Sequence, residues 1–357
     1  MDQEHLRAPE VDRDGWGVVH TPPSAHSATV SLPSDTEVDS AAMGGGGALP
    51  RRRAFGAERV FRALTVLAGS AVLTIIVAIA VFLIAKAIPA LRANTANFIT
   101  ETDWFPNEGR FGIAALAFGT VLTSALALLV AVPVALGVAL YLSHYAPRRL
   151  ATALGFLIDF LAAVPSVVFG LWGREIFIGP VISLSAWLHR TLGWIPLFAN
   201  EGPYGRSVLL GSLVLAIMVL PIITSLSREV FAQTPRAHEE AALALGATRW
   251  EMIRIAVLPY ARPGVIAAVM LGLGRALGET IALAMTLGAT FEISFDLIGS
   301  GGNTIAANIA NGFGEASELG RGALIASGLV LFGITLIVNM AARAITYRRR
   351  AFTEVAA

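Results

Sequence analysis

The sequence contains no cysteine and a single lysine, Lys86. The first absence removes disulfides, thiol nucleophiles and Cys-ligated zinc or iron–sulfur centres. The second removes the phosphate loop G-x-x-x-x-G-K-[ST], because Ala85 precedes that lysine where the loop needs glycine. This chain therefore carries no nucleotide-hydrolysis loop of that kind. Charge is scarce too. Only 14% of the 357 residues are charged and 55% are hydrophobic, against roughly 25% charged in an ordinary soluble domain. So few charges cannot solvate a globule of this size, and the bilayer is the expected solvent. A net charge of +1 gives no basic field for nucleic acid and no acidic excess for a cation store.

What is abundant is apolar sequence in long runs. Six of them, at about 63–85, 113–142, 150–172, 207–227, 263–290 and 321–345, meet the criterion of about 20 apolar residues for a hydrocarbon core of about 30 Å. The expected fold is an all-α integral membrane protein of about six transmembrane helices. Residues 1–55 are rich in Asp, Glu, Ser, Pro and Gly and read as a disordered acidic cytoplasmic tail. No cleavable signal peptide is expected, since the first apolar run is too long for an h-region. Residues 56–112 then hold the first helix and an outer loop, 113–346 a five-helix core, and 347–357 a cytoplasmic C-terminal tail. Orientation follows from the basic residues flanking the runs. With the N-terminus inside, sixteen lie on the inner side, including Arg51 to Arg53 and Arg348 to Arg350, and seven on the outer side. Both termini are therefore expected inside. Residues 173–206 mix Trp187, Trp194, Pro180, Pro196 and scattered charges, and read as an outer interfacial insertion rather than a further span. A re-entrant element is the alternative.

The loop 228–262 carries the sharpest local signal. Thr234-Pro235 offers an N-cap hydroxyl and a proline at the first helical position. Gly246 is a natural left-handed stop. Thr248-Arg249-Trp250-Glu251 is a capping box, and Leu258-Pro259 is expected to close the second helix. The product is a helical hairpin whose alanines admit close approach and whose Glu240 can meet a partner's arginine. It serves as a docking knob or as a plain solvated hairpin. His238-Glu239 begins a zincin-like pattern, but position 242 is alanine, so the second ligand is missing. No metal site and no enzymatic constellation is expected.

Arg275 and Glu279 fall within the fifth run, one helical turn apart near mid-membrane, where pairing at i, i+4 is expected to relieve part of the cost of burying them. Charges there are costly and should face the bundle interior or an aqueous path. Gly274 and Gly278 form a small-xxx-small step beside them. The pair either lines a path or locks two helices. Asp159 in the third run is open to the same two readings.

Three stretches bear a resemblance. Glu240-Ala241-Ala242, Gly246 and Leu258-Pro259 resemble the EAA loop of ABC-importer permeases, with Ala256 where isoleucine is usual. Gly274-Arg275-Ala276-Leu277-Gly278-Glu279-Thr280, and Val164-Pro165-Ser166-Val167-Val168-Phe169-Gly170-Leu171-Trp172-Gly173 downstream of Asp159, are similar to the phosphate-specific permeases of the PstC type. The resemblance implies the type I ABC importer permease fold and the permease subunit of an ATP-driven phosphate importer in the inner membrane. It also implies a second permease of the PstA type, an ATPase dimer of the PstB type carrying ATP and Mg, and an external phosphate-binding protein of the PstS type. Glu240, Ala241, Ala242, Gly246, Leu258 and Pro259 would couple to the ATPase; Arg275, Glu279 and Asp159 would line or gate the path. Sulfate, molybdate or phosphonate as cargo, or an ion-coupled secondary transporter with those three charges as a relay, are the alternatives.

Overall fold

A computed structural model describes residues 54–355, with side chains from 58 to 344. The acidic N-terminal tail and the last residues of the C-terminal tail lie outside that range. By its internal contacts the chain divides into residues 1–67 and 68–357, and the account below concerns the second unit.

The chain is helical because its apolar stretches must satisfy their backbone polar groups internally if lipid surrounds them. In order come α1 (Ala54–Ala93), a two-strand hairpin of β1 (Trp104–Phe105) and β2 (Arg110–Phe111), then α2 (Ala114–Leu140), α3 (Arg148–Ala162) and α4 (Ser166–Trp172). Next follow α5 (Ile178–Leu192), α6 (Val208–Ala232), α7 (Arg236–Ala244), α8 (Arg249–Met252) and α9 (Leu258–Leu277). The last are α10 (Ile281–Thr286), α11 (Ile305–Gly312) and α12 (Glu318–Val355). Among the described residues six helical runs are long and apolar enough to cross a membrane.

α6 is the central post. Two-thirds (67%) of its membrane-length window is buried, against 28% or less in every other run. Its main neighbour is α2, which presents a ladder of fully buried alanines, Ala127, Ala131, Ala135 and Ala139. Their spacing of four puts them on one helix face. Their lack of bulk lets Leu215, Met218, Val219 and Ile223 of α6 settle against the α2 backbone. α1 is the opposite case: its side chains are mostly exposed until Ala87 and Ala90.

Two of the six expected runs are displaced. The third, placed at 150–172, breaks at Val164-Pro165. Proline donates no N–H and its ring conflicts with the carbonyl one turn back, so α3 stops at Ala162 and a new helix starts at Ser166. The membrane-length run is Ser166–Leu192, continuous through a π turn at Gly173–Phe177. Most of the segment expected to be an outer interfacial insertion is thus the second half of this helix. Its charges obscured that, and the adjacent Arg174 and Glu175 lie within 3.4 Å of each other. The glycines of the stretch have packing roles. A methyl group at Gly170 would sit 2.9 Å from the Ala282 Cα, and one at Gly173 2.6 Å from Val214, so α4 approaches α10, and the π turn after it approaches α6, closely at glycine.

The fifth run, placed at 263–290, ends earlier. α9 stops at Leu277, and after α10 the chain runs without helix from Leu287 to Thr304. That segment is laid on residues 203–209 by the backbone bonds Leu209 N to Leu297 O (2.8 Å) and Ser300 N to Pro203 O (3.1 Å).

Candidate functional site

The hairpin between α6 and α9 forms largely as its sequence dictates. Gly246 takes φ +85°, a conformation that glycine reaches without steric penalty. Thr248 and Glu251 form the capping box: Thr248 N donates to Glu251 Oε2 (2.8 Å), and Glu251 N to Thr248 Oγ1 (3.3 Å). Two local expectations fail. Thr234 does not cap α7, since Pro235 occupies the cap position and the Thr234 hydroxyl is buried without a partner. Leu258-Pro259 does not end the second helix. A π turn at Ile253–Val257 precedes the proline, and its wider turn accommodates the missing N–H, so helix runs unbroken from Arg249 to Leu277.

The hairpin has two faces. Ala242, Met252, Ile253 and Val257 are buried against Ala139 of α2 and Phe231 of α6. Glu240, Ala241, Leu243 and Gly246 are exposed. So are two large apolar residues, Leu245 at 89% and Trp250 at 56%. The sequence reading passed over these two. Their signal was the placement of a leucine and a tryptophan around a solvent-facing turn. One face thus grips the membrane helices α2 and α6, and the other is bare.

Arg275 and Glu279 are not paired. Arg275 lies in the last turn of α9 and is exposed. Glu279 sits in the break after Gly278, only 7% exposed, and its Oε1 accepts from Ala282 N (3.1 Å), capping α10. The expected one-turn spacing required a continuous helix, which glycine at 278 and the capping carboxylate interrupt. Gly274 has nothing within 4 Å of where a Cβ would stand, so no described helix fills the small-residue step. Instead Gly274 and Arg275 border a groove of about 1110 Å³ between α6, α9 and α12.

Asp159 lies elsewhere. It lines a second cavity with Ser225, Arg228 and Glu229. It accepts a hydrogen bond from Ser225 Oγ (2.6 Å) and pairs with Arg228 at 3.4 Å. It ties α3 to α6 and is not brought together with Arg275 or Glu279.

The family described as "Binding-protein-dependent transport system inner membrane component" matches residues 131–351. The phosphate transport system permease protein PstC 2 of Mycobacterium tuberculosis is 47% identical over 303 residues, covering 83% of this chain and 93% of the relative. The phosphate transport system permease protein PstC of Xylella fastidiosa is 41% identical over 297 residues, covering 82% and 91%. Among solved structures, an inward-facing MetNI methionine ABC transporter gives a TM-score of 0.43 at 17% identity, covering 64% of this chain and 90% of that one. A bacterial ABC transporter involved in the import of the acidic polysaccharide alginate gives 0.49 at 18%, covering 81% and 99%. The family match spans the Pro165 break, the hairpin and the Arg275 groove alike, and with the relatives at 41–47% identity the chain belongs to the binding-protein-dependent transport system inner membrane components, as a permease of the PstC type.

Proposed function

We propose that this chain is the permease subunit of an ATP-driven importer that carries inorganic phosphate across the cytoplasmic membrane. The observation that carries the reading is the two-faced hairpin in a chain 47% identical to a phosphate transport system permease. It is a transporter subunit rather than an enzyme. A second permease of the PstA type would complete the path, an ATPase dimer of the PstB type would supply ATP hydrolysis, and a binding protein of the PstS type would deliver cargo. The bare face carrying Glu240, Ala241, Leu245, Gly246 and Trp250 would seat on the ATPase, on the cytoplasmic side. The buried face, with Ala242 and the half-buried Leu258, would pass its movement through the exposed Pro259 and α9 to the groove.

Within that groove Arg275 offers a planar, permanently charged fork, the preferred partner of a tetrahedral oxyanion. Glu279 acts as its competitor in a gate. Bound to the α10 amide it leaves Arg275 free for cargo; released from that bond, one short break away, it would reclaim the arginine and expel the anion. The test is phosphate uptake by the complex expressed in a host stripped of its own phosphate importers. Uptake should be lost when the ATPase subunit is inactivated and should resist excess sulfate. Uptake that survives ATPase inactivation would point to ion-coupled transport, and competition by sulfate would reassign the cargo.

A further inference from the structure

The groove that holds Arg275 holds a second arginine. Its walls are Ile222 of α6, the stretch of α9 that includes Met270, Gly274 and Arg275, and Asn339 and Arg343 of α12. Asn339 and Arg343 are one helical turn apart and so share a face of α12. No aspartate or glutamate lines the cavity. Among the described residues neither arginine has a carboxylate within ion-pair distance. The acid adjacent in sequence, Glu279, is engaged with the α10 backbone.

Two permanent cations thus border one largely apolar groove, and among the described residues no carboxylate answers them. Two like charges on one groove repel each other while it is empty and are relieved when an anion enters between them. A single guanidinium compensates one charge. A phosphate group near neutral pH carries more than one, and two forks can engage separate pairs of its oxygens. Asn339 adds an amide that can donate to a remaining oxygen.

We propose that Arg343 and Arg275 together form a two-arginine oxyanion subsite in the groove between α6, α9 and α12, with Asn339 at its edge. The inference rests on the reading of the chain as an oxyanion permease and adds a residue, Arg343, that neither the EAA-like loop nor the fifth apolar run contains. The same chemistry would suit the phosphate of a lipid headgroup, so the experiment separates cargo from lipid.

The absence of native cysteine makes Asn339→Cys the chain's only thiol. Its alkylation is followed in the assembled complex, purified in a phospholipid-free detergent with any partner cysteines removed. Millimolar inorganic phosphate is expected to slow alkylation several-fold while chloride at equal ionic strength does not. Adding Arg343→Gln should abolish protection, and Arg343→Lys should restore it in part. Protection by anionic phospholipid but not by phosphate would support the subsite and assign it to a headgroup. Protection by sulfate alone would support the subsite and overturn the phosphate reading instead. Phosphate protection that survives Arg343→Gln, or no protection by any oxyanion in a fully assembled complex, overturns the proposal. As a functional arm, Arg343→Gln in an otherwise native chain should lower uptake tenfold or more with assembly retained. Wild-type uptake would count against a cargo role.

Discussion

At Glu279 the geometry separates charge from structure. Gln keeps an oxygen that can accept from Ala282 N, so Glu279→Gln preserves the α10 cap and removes only the charge. Glu279→Ala loses both, and loss of a cap typically costs about 1 kcal/mol. The gate reading expects Glu279→Gln and Arg275→Gln each to reduce phosphate uptake at least tenfold with subunit assembly unchanged. Arg275→Lys should be only partly active, because an ammonium cannot reproduce the fork. Normal uptake by Glu279→Gln, with Glu279→Ala merely less stable, would leave Glu279 a capping residue and nothing more. Asp159 should behave in the opposite way. Its carboxylate receives Ser225 and faces Arg228, so Asp159→Ala strands a partly buried guanidinium and a hydroxyl. With the Asp159 side chain half exposed, the expected loss is about 1 kcal/mol of stability or less, read as a slightly lower melting temperature or weaker assembly. Uptake per assembled complex should stay near wild type; a selective loss of uptake would return Asp159 to the path.

The elements most legible in the sequence are those fixed by local chemistry. Thr248 and Glu251 form their box, and Gly246 turns left-handed, because each is decided within a few residues. Six membrane-length helices were legible because apolar run length is itself the physical requirement. What hid was decided across the fold. The alanine ladder of α2 looks featureless in one dimension and acquires meaning only when α6 lies on it. The third span was misplaced because the charged Arg174 and Glu175 masked a helix that neighbouring apolar residues carry, while Pro165 broke a run that hydropathy alone would extend. Glu279 was assigned to Arg275 because a continuous α9 was assumed, and Gly278 ends it. The coupling role proposed for the hairpin rests on its two faces. Gly246→Pro cannot adopt φ +85°, since proline is held near −65°, so the turn must reorganise. The hairpin's apolar grip on Ala139 and Phe231 should keep the protein inserted. Glu240→Lys, Leu245→Asp and Trp250→Asp alter only the bare face. All four should abolish ATP-driven uptake with insertion intact, and the three surface variants should release the ATPase on purification. Full uptake with Gly246→Pro would show that this loop does not transmit the stroke.

For the whole molecule the decisive unknown is direction, since the helices alone are indifferent to which end faces the cytoplasm. The argument comes from arginine. Arg148 and Arg149 open α3, Arg228 closes α6, and Arg236, Arg249, Arg254 and Arg262 surround the hairpin. In chain order all of these flank the apolar runs on the hairpin's side, whereas the other flanks carry only scattered basic residues such as Arg110, Arg206 and Arg321. Retention of basic residues on the cytoplasmic side during insertion is then expected to put the hairpin inside. Moving the third span to Ser166–Leu192 leaves this unchanged, because the chain still crosses once between α3 and the loop before α6. Two exposed positions, Glu201 in that loop and Leu245 on the hairpin, can report it in a chain with no other thiol. In intact cells a membrane-impermeant maleimide should label Glu201→Cys at once and leave Leu245→Cys unlabelled until the membrane is permeabilised. Labelling of Leu245→Cys from outside would invert the topology and, with it, remove the hairpin from any contact with a cytoplasmic ATPase. Labelling of neither in intact cells, with both reactive after permeabilisation, would put both positions inside and remove α6, the helix that separates them, as a single span.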